Sequence, residues 1–282
     1  MNILRVMVNS VLKRPVLAIL PAVAMLVLVV INSYNPVLPI ILGLSSATGS
    51  SVFEGLVSTL ELLLDPGIIT GIVLFILGAV LLVSLLAGVL LSGYFHVIGA
   101  TLGGIGKTEG DYFAGTKKYF GRVFLITLRV TLFSALLSGF MAVAAVPSII
   151  ITRAAATAKP ELLPAALFVD LLTVGVLFFS LMFSRIYLFF WYPAAMKDMK
   201  NPFRSAKCIT DGYFWQITGR FIVFDVVFAV FQYLILITGP IALKLLLGWL
   251  FSTIFFIAMV VFIFYTFGLY ANVQNSGKKM QD

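Results

Sequence analysis

The chain has one cysteine, Cys208, which excludes a disulfide within it. It has one histidine, His96, and no H-E-x-x-H pattern or Cys/His cluster, so no metal site is expected. There is no G-x-S-x-G elbow and no close pair of carboxylates suited to acid–base work. No catalytic residue and no cofactor is therefore expected, and the chain is not read as an enzyme. Charge is scarce as well. Charged residues make up 11% of the 282 positions, against about 25% in a soluble domain. Hydrophobic residues make up 61%, so most of the surface cannot face water.

The apolar residues fall into six long stretches, roughly 16–33, 68–102, 123–147, 164–195, 217–239 and 245–272. Crossing a bilayer takes about 20 residues of helix, and a spanning segment must satisfy its own backbone. The alternating segments of about 10 residues that mark a membrane β-barrel are absent. The expected fold is all-α, a polytopic integral membrane protein with residues 1–282 as a single six-span domain. The basic flank before the first stretch is like that of a signal sequence, but no A-x-A site follows closely, so an uncleaved first helix is expected.

Lys and Arg number 19 against 11 Asp and Glu, and their placement alternates with the spans. Arg5, Lys13 and Arg14 precede span 1; Lys107, Lys117, Lys118 and Arg122 separate spans 2 and 3; Lys197, Lys200, Arg204 and Lys207 separate spans 4 and 5; Lys278 and Lys279 close the chain. Residues 34–67 contain no Lys or Arg. The positive-inside bias then puts both termini in the cytoplasm. Charge at membrane edges fits attraction to anionic headgroups of the inner leaflet, not nucleic acid.

Spans 1, 3 and 5 are each preceded by an amphipathic stretch, which gives three hairpins, each with an elbow in the headgroup plane. In the first, Leu4, Met7, Val8 and Val11 share a face and Pro15 ends the helix. The second runs from Thr108 to Gly121, and the third starts at Asn201-Pro202. Arg5, Lys13, Arg14, Lys117, Lys118, Arg122, Arg204 and Lys207 are the basic residues expected to snorkel from these elbows to phosphates. In the outer loop, Ser51 and Glu54 form a capping box that predicts a short helix, on the membrane or dipping into it. Thr101-Leu-Gly-Gly-Ile-Gly-Lys-Thr108 is like the end of a phosphate-binding loop, but Thr101 stands where glycine is required. It reads as a glycine-rich helix end. Gly88, Gly93 and Gly99 are candidate flex points in span 2, and Gly99 with Gly103 fits close helix packing.

Three charges fall inside the spans. Counting about 1.5 Å per residue, Arg129, Arg185 and Asp225 lie at similar depth in the inner half. Each would cost about 2.5–3.5 kcal/mol facing lipid at mid-bilayer, so they are expected to face inward and meet. Gln232, seven residues beyond Asp225, shares its face, and Thr127, Thr131, Ser134 and Ser138 form a polar stripe on span 3. Such a cluster is either an ion-pair tie between helices or a pocket for an anionic headgroup or solute.

The segment Tyr192-Pro-Ala-Ala-Met-Lys-Asp-Met-Lys-Asn-Pro-Phe-Arg-Ser-Ala-Lys207, continuing to Gly212-Tyr-Phe-Trp215, resembles a six-helix bacterial membrane group akin to the membrane domain fused to some glycerophosphodiester phosphodiesterases. The Lys13-Arg14-Pro15 turn is also similar. The resemblance implies a six-helix membrane domain with basic elbows. The phosphodiesterase domain itself is lacking, so no hydrolase activity carries over. The functions expected are a lipid-contacting accessory or assembly protein or a subunit, with partner subunits, of a transport system, or alternatively a stand-alone permease for a small anionic solute.

Overall fold

The structure is a computed structural model, which describes residues 3–33, 66–106, 110–157, 160–197, 201–237 and 240–279. The expected outer-loop helix with its Ser51/Glu54 box lies outside these residues. The described residues are helical almost throughout: α1 (Ile3–Lys13), α2 (Val16–Ser33), α3 (Pro66–Leu102), α4 (Asp111–Thr157), a 3-10 turn (Pro160–Leu162), α5 (Leu163–Phe189), α6 (Trp191–Met196), α7 (Pro202–Ile237) and α8 (Ile241–Lys279).

Five of these helices are long and apolar enough to cross a membrane, and α2 holds a shorter apolar run, Val16–Val29. Their large side chains are not packed away. Phe75 is 76% exposed and Leu171 is 74% exposed, with Leu74, Leu81, Leu82, Leu167 and Phe168 similarly open. Burying one such side chain is worth about 1.5–3 kcal/mol in water, so a fold that leaves this many uncovered has lipid as its solvent. The chain is a multi-pass helical membrane protein.

Helix ends follow local chemistry. Pro15 separates α1 from α2, since it lacks the N–H that a continued helix needs. Pro193 would press on the carbonyl four residues back, and α5 stops at Phe189. At the end of α3, Gly104 has φ +73°, the Ile105 N–H donates to the Ala100 carbonyl (3.0 Å) and the Gly104 N–H to Thr101 (3.2 Å). This left-handed glycine cap accounts for the glycine-rich segment as a helix end.

Two expectations about elbows change. The second is no separate element: α4 runs unbroken for 47 residues, about 70 Å, from the elbow through span 3 to Thr157. Gly121 alone does not stop a helix, and Pro147 is accommodated inside it. In α7, Tyr213 leaves helical geometry (φ −131°, ψ 21°), so the helix is kinked there. Arg14, expected at the interface, is only 5% exposed, at the corner where Pro15 turns the chain, and Ser10 is buried with its hydroxyl donating to the Val6 carbonyl (2.8 Å).

The chain divides into two compact units. The first comprises Met1–Val83 and Phe228–Ala258. Its core contacts include Trp249 Nε1 donating to the Ala22 carbonyl (2.7 Å), and Phe228 and Phe231 against Phe251. The second comprises Ser84–Val227 and Met259–Asp282. There Tyr94, Ile98, Val123, Ile186, Phe190, Phe221, Phe262 and Phe267 are fully buried. In this unit α3 and α4 run antiparallel at glycine distance. A Cβ on Gly93 would stand 2.6 Å from the Tyr112 carbonyl oxygen, and one on Gly115 would stand 2.4 Å from the His96 Cβ. Gly88 and Gly93 are packing sites, not flex points, and α3 passes through both without a break. Tyr112 donates across the contact to the Leu90 carbonyl (2.9 Å).

Candidate functional site

The ion pair and the cavity described here lie within the second unit. Arg185 on α5 and Asp225 on α7 meet: Nη1 is 2.5 Å from Oδ1, with side chains 25% and 32% exposed. The guanidinium is further enclosed by the Phe221 ring (4.9 Å to centroid), the Phe189 ring (5.8 Å) and the Met259 sulfur (3.8 Å). The third expected member is elsewhere. Arg129 is exposed and its guanidinium stacks 4.7 Å from the Phe203 ring at the start of α7. Among the described residues the pair is Arg185 with Asp225, without Arg129. Thr127, two residues before Arg129, meets Tyr192, seven residues beyond Arg185, so Arg129 stands nearer the elbow end than Arg185 does. Gln232 is half-buried two turns beyond Asp225 on α7 and belongs to the first unit.

The polar stripe on α4 is largely self-satisfied. The Thr131 hydroxyl donates to the Thr127 carbonyl (2.8 Å) and Ser138 to the Ser134 carbonyl (2.9 Å); only Thr127 reaches a neighbour, Tyr192 Oη at 3.2 Å. A polar site that sequence reasoning missed is Asp170 on α5. Its carboxylate accepts from Ser148 and from Thr152 (2.9 Å) on α4. Its signal was the charge within span 4, opposite hydroxyls near the end of span 3.

Of the elbow cations, Arg5, Lys13, Lys117, Lys118, Arg122, Arg204 and Lys207 are exposed and Arg14 is buried. The elbows of the second unit are tied together. Arg122 donates to the Ala195 carbonyl (3.4 Å), Phe203 meets Trp191 edge-on (4.7 Å), and Tyr187 donates to Asp211 (2.5 Å).

At this basic end a cavity of about 630 Å³ opens among the ends of α3, α4, α6 and α8. His96, Lys118, Lys197 and Asn272 supply its polar groups, and Phe95, Phe264 and Leu269 supply apolar wall. Gly99, Gly103 and Gly268 also line it, and a Cβ on Gly99 would meet nothing within 4 Å. Gly99 thus faces open space where close helix packing was expected, while a Cβ on Gly103 would stand 3.3 Å from the Gly99 carbonyl oxygen of its own helix end. The His96 ring lies 5.6 Å from that of Tyr119. The Lys197 amine lies over the Phe267 ring at 5.5 Å. The residue as a whole is exposed, yet desolvation at the rim lowers its pKa below the ordinary lysine value. Sequence reading had Lys197 only as one of several loop charges. Among the described residues, no three metal-ligating side chains come together.

Comparison with protein-family models, with curated proteins and with solved structures found no match.

Proposed function

We propose that this is a non-enzymatic integral membrane protein of the cytoplasmic membrane that contacts anionic lipid at its inner face, as an accessory or assembly factor or as a subunit of a membrane transport system. The carrying observation is how the charges are divided. The intramembrane Arg185 is paired with Asp225 and flanked by two rings and a thioether, and Arg129 stacks on Phe203, while Lys13, Lys117, Lys118, Arg204 and Lys207 are exposed near helix ends. A stand-alone permease would need an accessible net-positive centre in the spans, and the neutral pair does not provide one. The topology proposed with this function has six crossings, α2 supplying the first with its 18 residues, about 27 Å. It arranges them as three hairpins, with elbows before the first and fifth crossings on the cytoplasmic side and both termini there.

Two experiments test this. Gentle purification from the native membrane, followed by mass spectrometry, is expected to recover anionic lipid and a constant set of membrane-protein partners. Purified chain alone moving an anionic solute into proteoliposomes, with transport lost in Arg185→Leu, would establish the permease instead. For topology, Cys208→Ala provides a cysteine-free background. A cysteine introduced at Ser45 should label only from outside and one at Lys278 only from inside. Labelling of position 45 from the cytoplasmic side overturns the orientation.

A further inference from the structure

The cavity at the basic end of the second unit is built by glycine in a way that packing does not explain. On α3, Gly88 and Gly93 have neighbours within 3.3 Å of where a Cβ would stand, so α4 needs them to be glycine. One turn and more further along, Gly99 has no such neighbour and lines the cavity, as does Gly103. On α8, a Cβ on Gly268 would lie 3.8 Å from Lys197 Nζ, so absence of a side chain there also leaves room beside an amine. Two amines and the chain's only histidine border this space, and no carboxylate is among its described lining residues. Its volume of about 630 Å³ sits within the range of about 300–1,000 Å³ usual for small-ligand sites, and a lone inorganic anion would leave much of it empty. The opposite wall, with Phe95, Phe264 and Leu269, offers carbon and not hydrogen bonds.

We propose that this cavity binds an organic phosphate, its phosphate oxygens on Lys118 and Lys197 and its carbon backbone against Phe95, Phe264 and Leu269. The phosphate can be presented as a lipid headgroup or as a free ester, since the recognising chemistry is shared. The lipid form rests on the proposal that the protein engages anionic lipid at its inner face. Ammonium groups suit a phosphate as point charges, and the low-dielectric wall strengthens them. His96 and Asn272 then provide directional hydrogen bonds at the rim.

The test uses the full chain in neutral detergent, with melting temperature read against added phosphatidylglycerol, phosphatidylcholine, butyl phosphate and inorganic phosphate. Phosphatidylglycerol or butyl phosphate is expected to stabilise the wild type at lower concentration than inorganic phosphate. Stabilisation by the lipid alone assigns the site to a headgroup, and stabilisation by butyl phosphate to an equal degree assigns it to a free ester. K118Q with K197Q should weaken the response about tenfold or more, the loss expected for two charged hydrogen bonds. Gly99→Leu should fill the cavity and abolish the response while keeping the unliganded melting temperature. Lys207→Gln, on an exposed elbow position outside the cavity, should respond as wild type does. An undiminished response in both the Lys118/Lys197 double variant and Gly99→Leu overturns the cavity as the site and leaves general lipid contact standing. Should Gly99→Leu fail to fold, the double variant decides alone. No response of the wild type to any phosphate, lipid included, overturns the site and the lipid-contact reading together.

Discussion

Gly115→Ala is expected to be among the most damaging single substitutions in the chain, although it adds one methyl group to a helix. In isolation alanine is the better helix former by about 1 kcal/mol. Here the new Cβ would stand 2.4 Å from the Cβ of His96. Carbon atoms pack at about 3.5–4.0 Å, so the helices must part by more than about 1 Å. His96 cannot swing away, because the offended atom is the one attached to its own backbone. Parting α3 from α4 also stretches the hydrogen bond from Tyr112 to the Leu90 carbonyl and the approach of Thr116 Oγ1 to the Val89 carbonyl, now 3.5 Å. Overpacking of this kind costs about 1–3 kcal/mol, and the backbone displacement puts Gly115→Ala at the upper end of that range. Gly93→Ala should behave alike, its Cβ falling 2.6 Å from both the Tyr112 carbonyl oxygen and Thr116 Oγ1. Gly139→Ala and Gly175→Ala, where no atom lies within 4 Å, are the controls and should leave the melting temperature in detergent unchanged or raised. If Gly115→Ala melts with these controls, α3 and α4 do not approach as described.

Hydropathy alone predicted six spans, because a bilayer demands uninterrupted apolar helix and few charges; five of the described helices are long and apolar enough to cross, and α2 holds a shorter apolar run. Where helices end was less legible. Pro15 and Pro193 act through a missing N–H and a steric clash, which operate on the chain locally, and both mark real interruptions. Gly121, where the second elbow was expected to end, only lowers helix propensity, and α4 continues through it. Side-chain partners were legible only in part. Counting the rise per residue matched Arg185 with Asp225. The same count from the edge of span 3 missed the stagger of α4 against its neighbours, in which Thr127 meets Tyr192 and Arg129 meets Phe203. Glycine was the hardest to read. Gly93 and Gly99 lie six residues apart on one helix; the first presses on Tyr112 and the second faces a void. Nothing in the residue type separates them.

Asp225→Ala should destabilise the protein, by up to the ~3–5 kcal/mol that removing one partner of a fully buried ion pair costs; this pair is partly exposed. Asp225 neutralises an arginine that is otherwise held among Phe221, Phe189 and Met259, groups that can polarise toward a cation but cannot balance its charge. With the carboxylate gone, the guanidinium must stay unpaired in a low-dielectric setting or drag water to itself. Adding Arg185→Leu removes that charge, so the double variant should recover a large part of the lost stability. Asp225→Asn keeps a hydrogen-bond acceptor and should fall between wild type and Asp225→Ala. Arg129 provides the decisive comparison. A three-charge cluster would let Arg129→Leu rescue Asp225→Ala as well as Arg185→Leu does. With Arg129 on Phe203, its removal forfeits a cation–π contact worth about 0.5–2 kcal/mol and relieves nothing at Asp225. The Arg129→Leu and Asp225→Ala losses should therefore add, and the Arg185→Leu and Asp225→Ala losses should not. Unfolding in mixed detergent, followed by helical circular dichroism for the four single and two double variants, measures both cycles. Rescue by Arg129→Leu would place its guanidinium beside Asp225, while additive losses for Arg185 and Asp225 would dissolve the pair.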